Sequence, residues 1–176
     1  MTTPPERSPG VYAISPAIGP VPAIYVHRSP EHANTQPQHV PIGETMSDIP
    51  ADLRYSTDHL WVRPGADGLV RVGVTDFAQQ SLGDVVDVSP PKPGDTVTAG
   101  EACGDIESVK SVSDLIAPVS GTVRARNEEL GKAPDLVNTD PYGQGWLFEI
   151  QAGPESLGQQ VAALMGPDAY RNLVGD

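Results

Sequence analysis

The sequence holds a single cysteine, Cys103, among its 176 residues. One thiol forms no internal disulfide, which excludes the stapled scaffold of a small secreted domain. Only three lysines occur, Lys92, Lys110 and Lys132, and 23 acidic residues outnumber 11 basic ones, for a formal net charge of -12. Phosphate binding needs clustered Lys and Arg, so this balance argues against nucleic acid. It argues equally against an anionic membrane surface. No apolar run approaches the ~18 residues that mark a membrane span. Aromatic residues are 5%, so a core has to be built mainly from Val, Leu, Ile and Ala.

Proline is scarce nowhere in the first quarter of the chain. Residues 1–45 carry Pro4, Pro5, Pro9, Pro16, Pro20, Pro22, Pro30, Pro37 and Pro41, with no sustained apolar period. Proline at this density removes the backbone donors that helices and sheets require, so the segment reads as a disordered or polyproline-like extension. It has neither the apolar stretch of a secretory signal nor the Arg-rich character of a transit peptide. A bacterial cytoplasmic address is therefore expected rather than a mitochondrial matrix. His27, His32 and His39 are scattered through it without the spacing of a metal site on a fixed scaffold. The texture changes at Met46, which marks the expected start of the functional domain, residues 46–176.

From Ser47 the patterns are mostly β. Leu60–Arg63 and Leu69–Val74 flank Gly65-Ala66-Asp67-Gly68 as a hairpin. Thr75–Gly83 reads as a short helix, capped by Thr75 or Asp76 and stopped by Gly83. Strands are expected over 84–88, 96–99, 103–108, 111–117, 122–126 and 146–150. Leu157, Val161, Leu164 and Met165 fall at helical spacing, and Pro167–Tyr170 starts a second short helix. Many short strands with Gly/Pro turns, and helices added at the edges, argue an antiparallel sandwich or barrel. One internal echo stands out: Pro93–Gly100 and Pro118–Val123 each run from a turn into a Val-containing strand, on opposite sides of Lys110.

Between the apolar anchors Ile106 and Leu115/Ile116, the stretch Glu107–Ser113 is small and polar apart from two valines. That is the composition of a hairpin tip, and Lys110 stands in it. A lysine there has its stem held by the turn and its amine in water, open to acylation. Acylation replaces a strongly hydrated cation by a neutral amide. Lys92 sits in a proline-rich turn and Lys132 in Gly131-Lys132-Ala133-Pro134; both read as plain surface charges. Cys103 reads as a small buried hydrophobe, and Asp84, Asp87 and Asp95 as solvated acids.

The run Glu107-Ser108-Val109-Lys110-Ser111, followed by Ser113-Asp114-Leu115 and Ala117-Pro118-Val119-Ser120-Gly121, resembles the lipoylation motif of glycine cleavage H proteins. The flanks agree: Tyr55–Val62 resembles the family's start, Val72–Gln79 and Leu82–Val86 its helix segment, and Val137–Gly143 with Gly145–Leu147 its late loop and strand. The likeness runs over about residues 53–150 in family order. It departs at Leu60, where the family commonly has a glutamate, and at Ser89-Pro90-Pro91, where Leu-Pro is common.

The resemblance implies a mainly β barrel-sandwich hybrid with a short internal helix and C-terminal helices. It implies (R)-lipoate bound covalently to Lys110, with Glu107, Ser108, Val109 and Ser111 forming the attachment turn that a lipoate ligase or lipoyltransferase reads. Glu107 is otherwise a simple solvated acid. His59 is a candidate for the wall of a groove in which the arm rests; the alternative is a structural histidine near Trp61. The implied partners are the pyridoxal-phosphate glycine decarboxylase, the tetrahydrofolate-dependent aminomethyltransferase and the FAD-containing dihydrolipoyl dehydrogenase. The implied role is a carrier of the aminomethyl group with no bond-making chemistry of its own. A lipoyl carrier or relay for another pathway, and a cofactor-free adaptor of the same fold, stay open at this point.

Overall fold

The computed structural model describes residues 46–176; the expectations for residues 1–45, including the three tail histidines, lie outside the described residues. The chain runs through β1 (Arg54–Tyr55), β2 (Leu60–Pro64), β3 (Leu69–Val74), α1 (Asp76–Leu82), β4 (Val85–Ser89), β5 (Thr96–Val97), β6 (Ala102–Ser108), β7 (Val112–Ile116) and β8 (Gly121–Arg126). It ends with α2 (Leu136–Thr139), β9 (Phe148–Gln151), α3 (Pro154–Ala163) and α4 (Pro167–Val174). The strands form two antiparallel sheets, one of six strands in the order β1-β2-β3-β9-β8-β5 and one of three in the order β4-β6-β7. This is the β-rich, helix-edged architecture that the pattern predicts.

Alternation of buried and exposed residues sets which face of each strand is covered. Val70 and Val72 of β3, Val123 of β8, and Phe148 and Ile150 of β9 meet Val88, Ile106 and Leu115 of the smaller sheet in one core. Leu60 belongs to that core at 2% exposure, so at this departure from the family pattern an apolar side chain fills apolar space. A second cluster is aromatic: Ile49, Leu53, Tyr55, Trp61 and Tyr170, with the rings of Tyr55 and Tyr170 stacked 4.6 Å apart.

The internal echo is a pairing. Thr96 and Val97 lie opposite Thr122 and Gly121, and Gly94 N–H donates to Val123 O while Val123 N–H donates to Asp95 O. The two halves of the echo thus close on each other, and β6 and β7 run between them as a hairpin of the smaller sheet.

Several boundaries differ from the expectation. Leu164 and Met165 do not extend the helix that holds Leu157 and Val161: α3 ends at Ala163, and Met165 bridges to Tyr55 through two backbone hydrogen bonds of 2.9 Å. The last strand begins at Phe148 rather than Trp146, and β7 at Val112 rather than Ser111. The short elements β1 and α2 carry no strong local pattern and were not expected. The segment 47–53 straps across the aromatic cluster. Ser47 N–H donates to the Asp176 carboxylate, Asp48 N–H to Asp76, Tyr142 O–H to Asp48 O, Tyr55 O–H to Pro50 O, and the Arg171 guanidinium to Ile49 O.

Candidate functional site: an exposed lysine on a braced turn

β6 and β7 pair from Ala102↔Ile116 to Glu107↔Val112, leaving Ser108–Ser111 as the turn. Ser108 organises it. Its buried hydroxyl accepts from Lys110 N–H and Ser111 N–H, both at 3.2 Å, and lies 3.3 Å from Ser111 O as donor; its N–H also donates to Ser111 O at 2.8 Å. Serine suits such turns because its hydroxyl replaces backbone partners that a tight reversal leaves unpaired. Val109 N–H donates outward to Asp84 O at 3.0 Å, tying the turn to the chain between α1 and β4.

The structure places Glu107, Ser108, Val109, Lys110 and Ser111 together at this turn. Lys110 and Glu107 are exposed, Val109 is 64% exposed, Ser111 is partly covered and Ser108 is buried. Among the described residues, the salt bridges do not include Lys110. The residue is exposed, so its side chain is accessible to another protein. Lys132 pairs with Glu129 at 3.6 Å.

The outer face leading to this turn is acidic. Asp87, Glu107 and Val112 form one row across the three strands, and Ser89, Asp105 and Asp114 the next. Like charges directly opposite each other disfavour pairing by a few tenths of a kcal/mol, so the sheet is held by its apolar inner face. The acidic face sets a local field that favours basic surfaces on approach.

The platform beneath the lysine was not legible as such. Gly83 ends α1 at φ 78°, its N–H donating to Gln79 O. Asn138 of α2 grips the same segment, accepting from Val85 N–H at 2.9 Å and donating to Gly83 O at 2.9 Å and to the Gln79 side chain at 3.0 Å. Asn138 lies inside the motif that marks the family resemblance, the one signal that singles it out beforehand.

His59 is 5% exposed and adopts φ 61° in the β1–β2 connection. Its Nδ1 is 2.8 Å from Tyr170 Oη, which is also 2.8 Å from Thr75 Oγ1, and its ring packs on Phe77 at 4.9 Å. Burial pulls its pKa below the ordinary histidine value against the pull of Asp58. A side chain so covered offers an arm little surface, and its bonds join the C-terminal helix to the cap of α1. Cys103 is half-buried against the core rather than within it as the sequence suggests; it donates to Leu115 O at 3.2 Å, and burial pushes its thiol up to about 11. No group of His, Cys, Asp and Glu among the described residues is arranged to hold a metal, and no described helix is long and apolar enough to cross a membrane.

The family model for the glycine cleavage H-protein matches residues 53–176. The glycine cleavage system H protein of Mycolicibacterium vanbaalenii is 55% identical over 131 residues, covering 74% of this chain and all of that protein. That of Mycobacterium avium is 56% identical over 130 residues, covering 73% of this chain and 98% of the relative. The crystal structure of a glycine cleavage system H protein from Mycobacterium marinum superposes with a TM-score of 0.65 at 44% identity, over 73% of this chain and all of the other. An exposed lysine on a braced β-turn, a sandwich of two antiparallel sheets and this breadth of similarity lead to one conclusion: the chain belongs to the glycine cleavage H-protein family.

Proposed function

We propose that Lys110 carries a covalently bound lipoyl group and that the protein serves as the aminomethyl carrier of the glycine cleavage system. One observation carries the reading: Lys110 stands exposed and, among the described residues, free of salt bridges on a turn whose backbone is fixed by Ser108. The donor set fits the group. A primary amine forms an amide with the carboxyl carbon of an activated lipoate, releasing the activating group and a proton, and the exposure of Lys110 among the described residues suits that attack. Once attached, the lipoyl group supplies a dithiolane for aminomethyl transfer and reoxidation.

The chain itself supplies presentation. Ser108 fixes the turn, Val109 anchors it to Asp84, and the exposed Glu107 gives the attaching ligase or transferase a carboxylate three residues before the lysine. Val109 and Ser111 complete the surface it reads. The carrier holds its cargo at high local concentration for each enzyme in turn and needs no acid–base group of its own. Glycine decarboxylase, aminomethyltransferase and dihydrolipoyl dehydrogenase are the partners on this reading. It carries a cytoplasmic address with it, in keeping with the bacterial relatives.

The test is intact and peptide mass analysis of the protein made in lipoate-proficient cells, followed by reconstitution with glycine decarboxylase. The reading expects one lipoyl addition, located on Lys110 and lost in Lys110→Ala, and aminomethyl loading of the modified protein. An unmodified Lys110 in such cells overturns it; a lipoylated protein that accepts no aminomethyl group leaves a lipoyl carrier or relay for another pathway.

A further inference from the structure

We propose that Gly83 is a positioning residue for Lys110: its bare backbone at the end of α1 is the floor on which the lysine side chain lies, fixing the side of the turn from which the amine is presented. The inference rests on the reading of Lys110 as the attachment site.

Three observations converge. A methyl group at Gly83 would lie 3.3 Å from both Cε and Nζ of Lys110 and 3.6 Å from Cδ. The last three heavy atoms of the side chain therefore run along a surface that exists because residue 83 has no side chain. The floor is braced from two directions. Asn138 holds the Gly83 carbonyl and the Val85 N–H, the residues on either side of Asp84, and Val109, the residue before the lysine, donates to the Asp84 carbonyl itself. Lysine turn and floor are thus one hydrogen-bonded unit and cannot drift apart independently. Finally, the amine lies at the C-terminal end of a helix, where the last carbonyls carry partial negative charge that favours a cation. Amide formation removes the charge that draws the side chain to the helix end, while the floor continues to guide the stem.

Gly83 also has a purely local reason to be glycine. Its φ of 78° and ψ of -158° lie in a region that side chains strongly disfavour. The test must separate that reason from the contact with Lys110. Gly100 supplies a control for the positive φ: its φ is 85°, and a methyl group there would meet nothing within 4 Å.

The experiment uses the full chain labelled with 13C-lysine, whose three lysines give three ε-methylene signals, assigned by replacing Lys92 and Lys132 with Arg in turn. In the wild-type protein a nuclear Overhauser contact is expected between Lys110 Hε and Gly83 Hα, and none from Lys92 or Lys132 to that proton. Initial rates of lipoyl attachment by a lipoate ligase are then compared at a temperature where the variants are folded. Gly83→Ala is expected to lower kcat/KM at least fivefold, mainly through kcat, with the Lys110 ε-signal moved toward that of a free lysine. Gly100→Ala is expected to stay within twofold of wild type. Absence of the contact in the wild type overturns the inference even if Gly83→Ala does not fold. Equal slowing of the two variants, or a Gly83→Ala protein lipoylated at the wild-type rate, overturns it as well. A wild-type Lys110 that no ligase modifies, with the contact intact, counts against the attachment reading and not against the floor.

Discussion

Trp61 lies over Gly73, its partner across the β2–β3 pair: a methyl group on Gly73 would come within 2.6 Å of two indole carbons and 2.7 Å of Nε1. The indole is fully buried and its N–H donates to Pro141 O at 2.9 Å, so the ring cannot tilt away without losing that bond. Gly73→Ala is expected to destabilise the fold by about 1–3 kcal/mol, the usual cost of overpacking a close-packed interior. Urea denaturation followed by tryptophan fluorescence checks it; a midpoint unchanged from wild type would contradict the packing described.

The Ser108 hydroxyl serves three backbone groups of the lysine turn. Ser108→Ala leaves the Lys110 and Ser111 N–H groups without their hydroxyl partner, and a loss of about 1 kcal/mol is expected. Lipoyl attachment is expected to slow, because the turn that presents Lys110 is loosened. Ser108→Thr, which keeps the oxygen, should recover part of the rate. Thermal melts and mass-resolved attachment kinetics measure the two effects. Lys110→Ala, by contrast, should change stability by no more than about 0.5 kcal/mol while abolishing attachment.

Acid should act on the domain through His59. Its folded-state pKa is lowered, first by burial, so the unfolded chain binds the proton more readily. The stabilising contribution is therefore complete above the unfolded value of about 6.5 and is lost as the pH falls through that value toward the folded one. Melting temperatures recorded from pH 8 to pH 5 should fall more steeply for wild type than for His59→Asn, since the variant lacks the titrating group. Parallel curves would show that protonation of His59 is not resisted.

Cys103, with its thiol raised to about 11 and bonded to Leu115 O, should react slowly with iodoacetamide at pH 8. The same reagent in urea should modify it fully. Timed quenching and mass analysis distinguish the two, and rapid labelling of the native protein would mean that the β6–β7 edge opens readily.

The strap over residues 47–53 separates two truncations. Beginning the chain at Met46 keeps every bond described for Ser47, Asp48, Ile49 and Pro50, so stability and lipoyl attachment should match the full chain. Beginning it at Leu53 removes those bonds and the buried side chain of Ile49, and a loss of about 2–4 kcal/mol is expected. Calorimetry on the three lengths checks the order; a large loss on starting at Met46 would assign a role to residues 1–45.

What the sequence makes legible is what local chemistry determines. The tip at Glu107–Ser113 reads from small polar residues between apolar anchors. The cap of α1 reads from Thr75, whose hydroxyl accepts from Ala78 N–H, and its end from Gly83. The features that escape it are held by partners distant in sequence. Leu164 and Met165 have helical spacing, but Met165 is claimed by Tyr55, 110 residues earlier, and Gly166-Pro167 begins a new helix. Asn138 shows nothing in its neighbourhood that announces three bonds to the α1–β4 junction. The contact of Lys110 with Gly83 depends on two segments that only the folded sheet brings together.

The closure of β5 on β8 bears on how the molecule would survive damage. With Thr96 and Val97 zipped to Thr122 and Gly121, the β6–β7 hairpin is anchored at its root, and the peptide bonds at its apex join nothing that the sheets do not already join. A protease that nicks the chain beside Lys110 should leave two fragments that migrate together under native conditions and separate only in denaturant, the accessible tip being expendable to the integrity of the body beneath it.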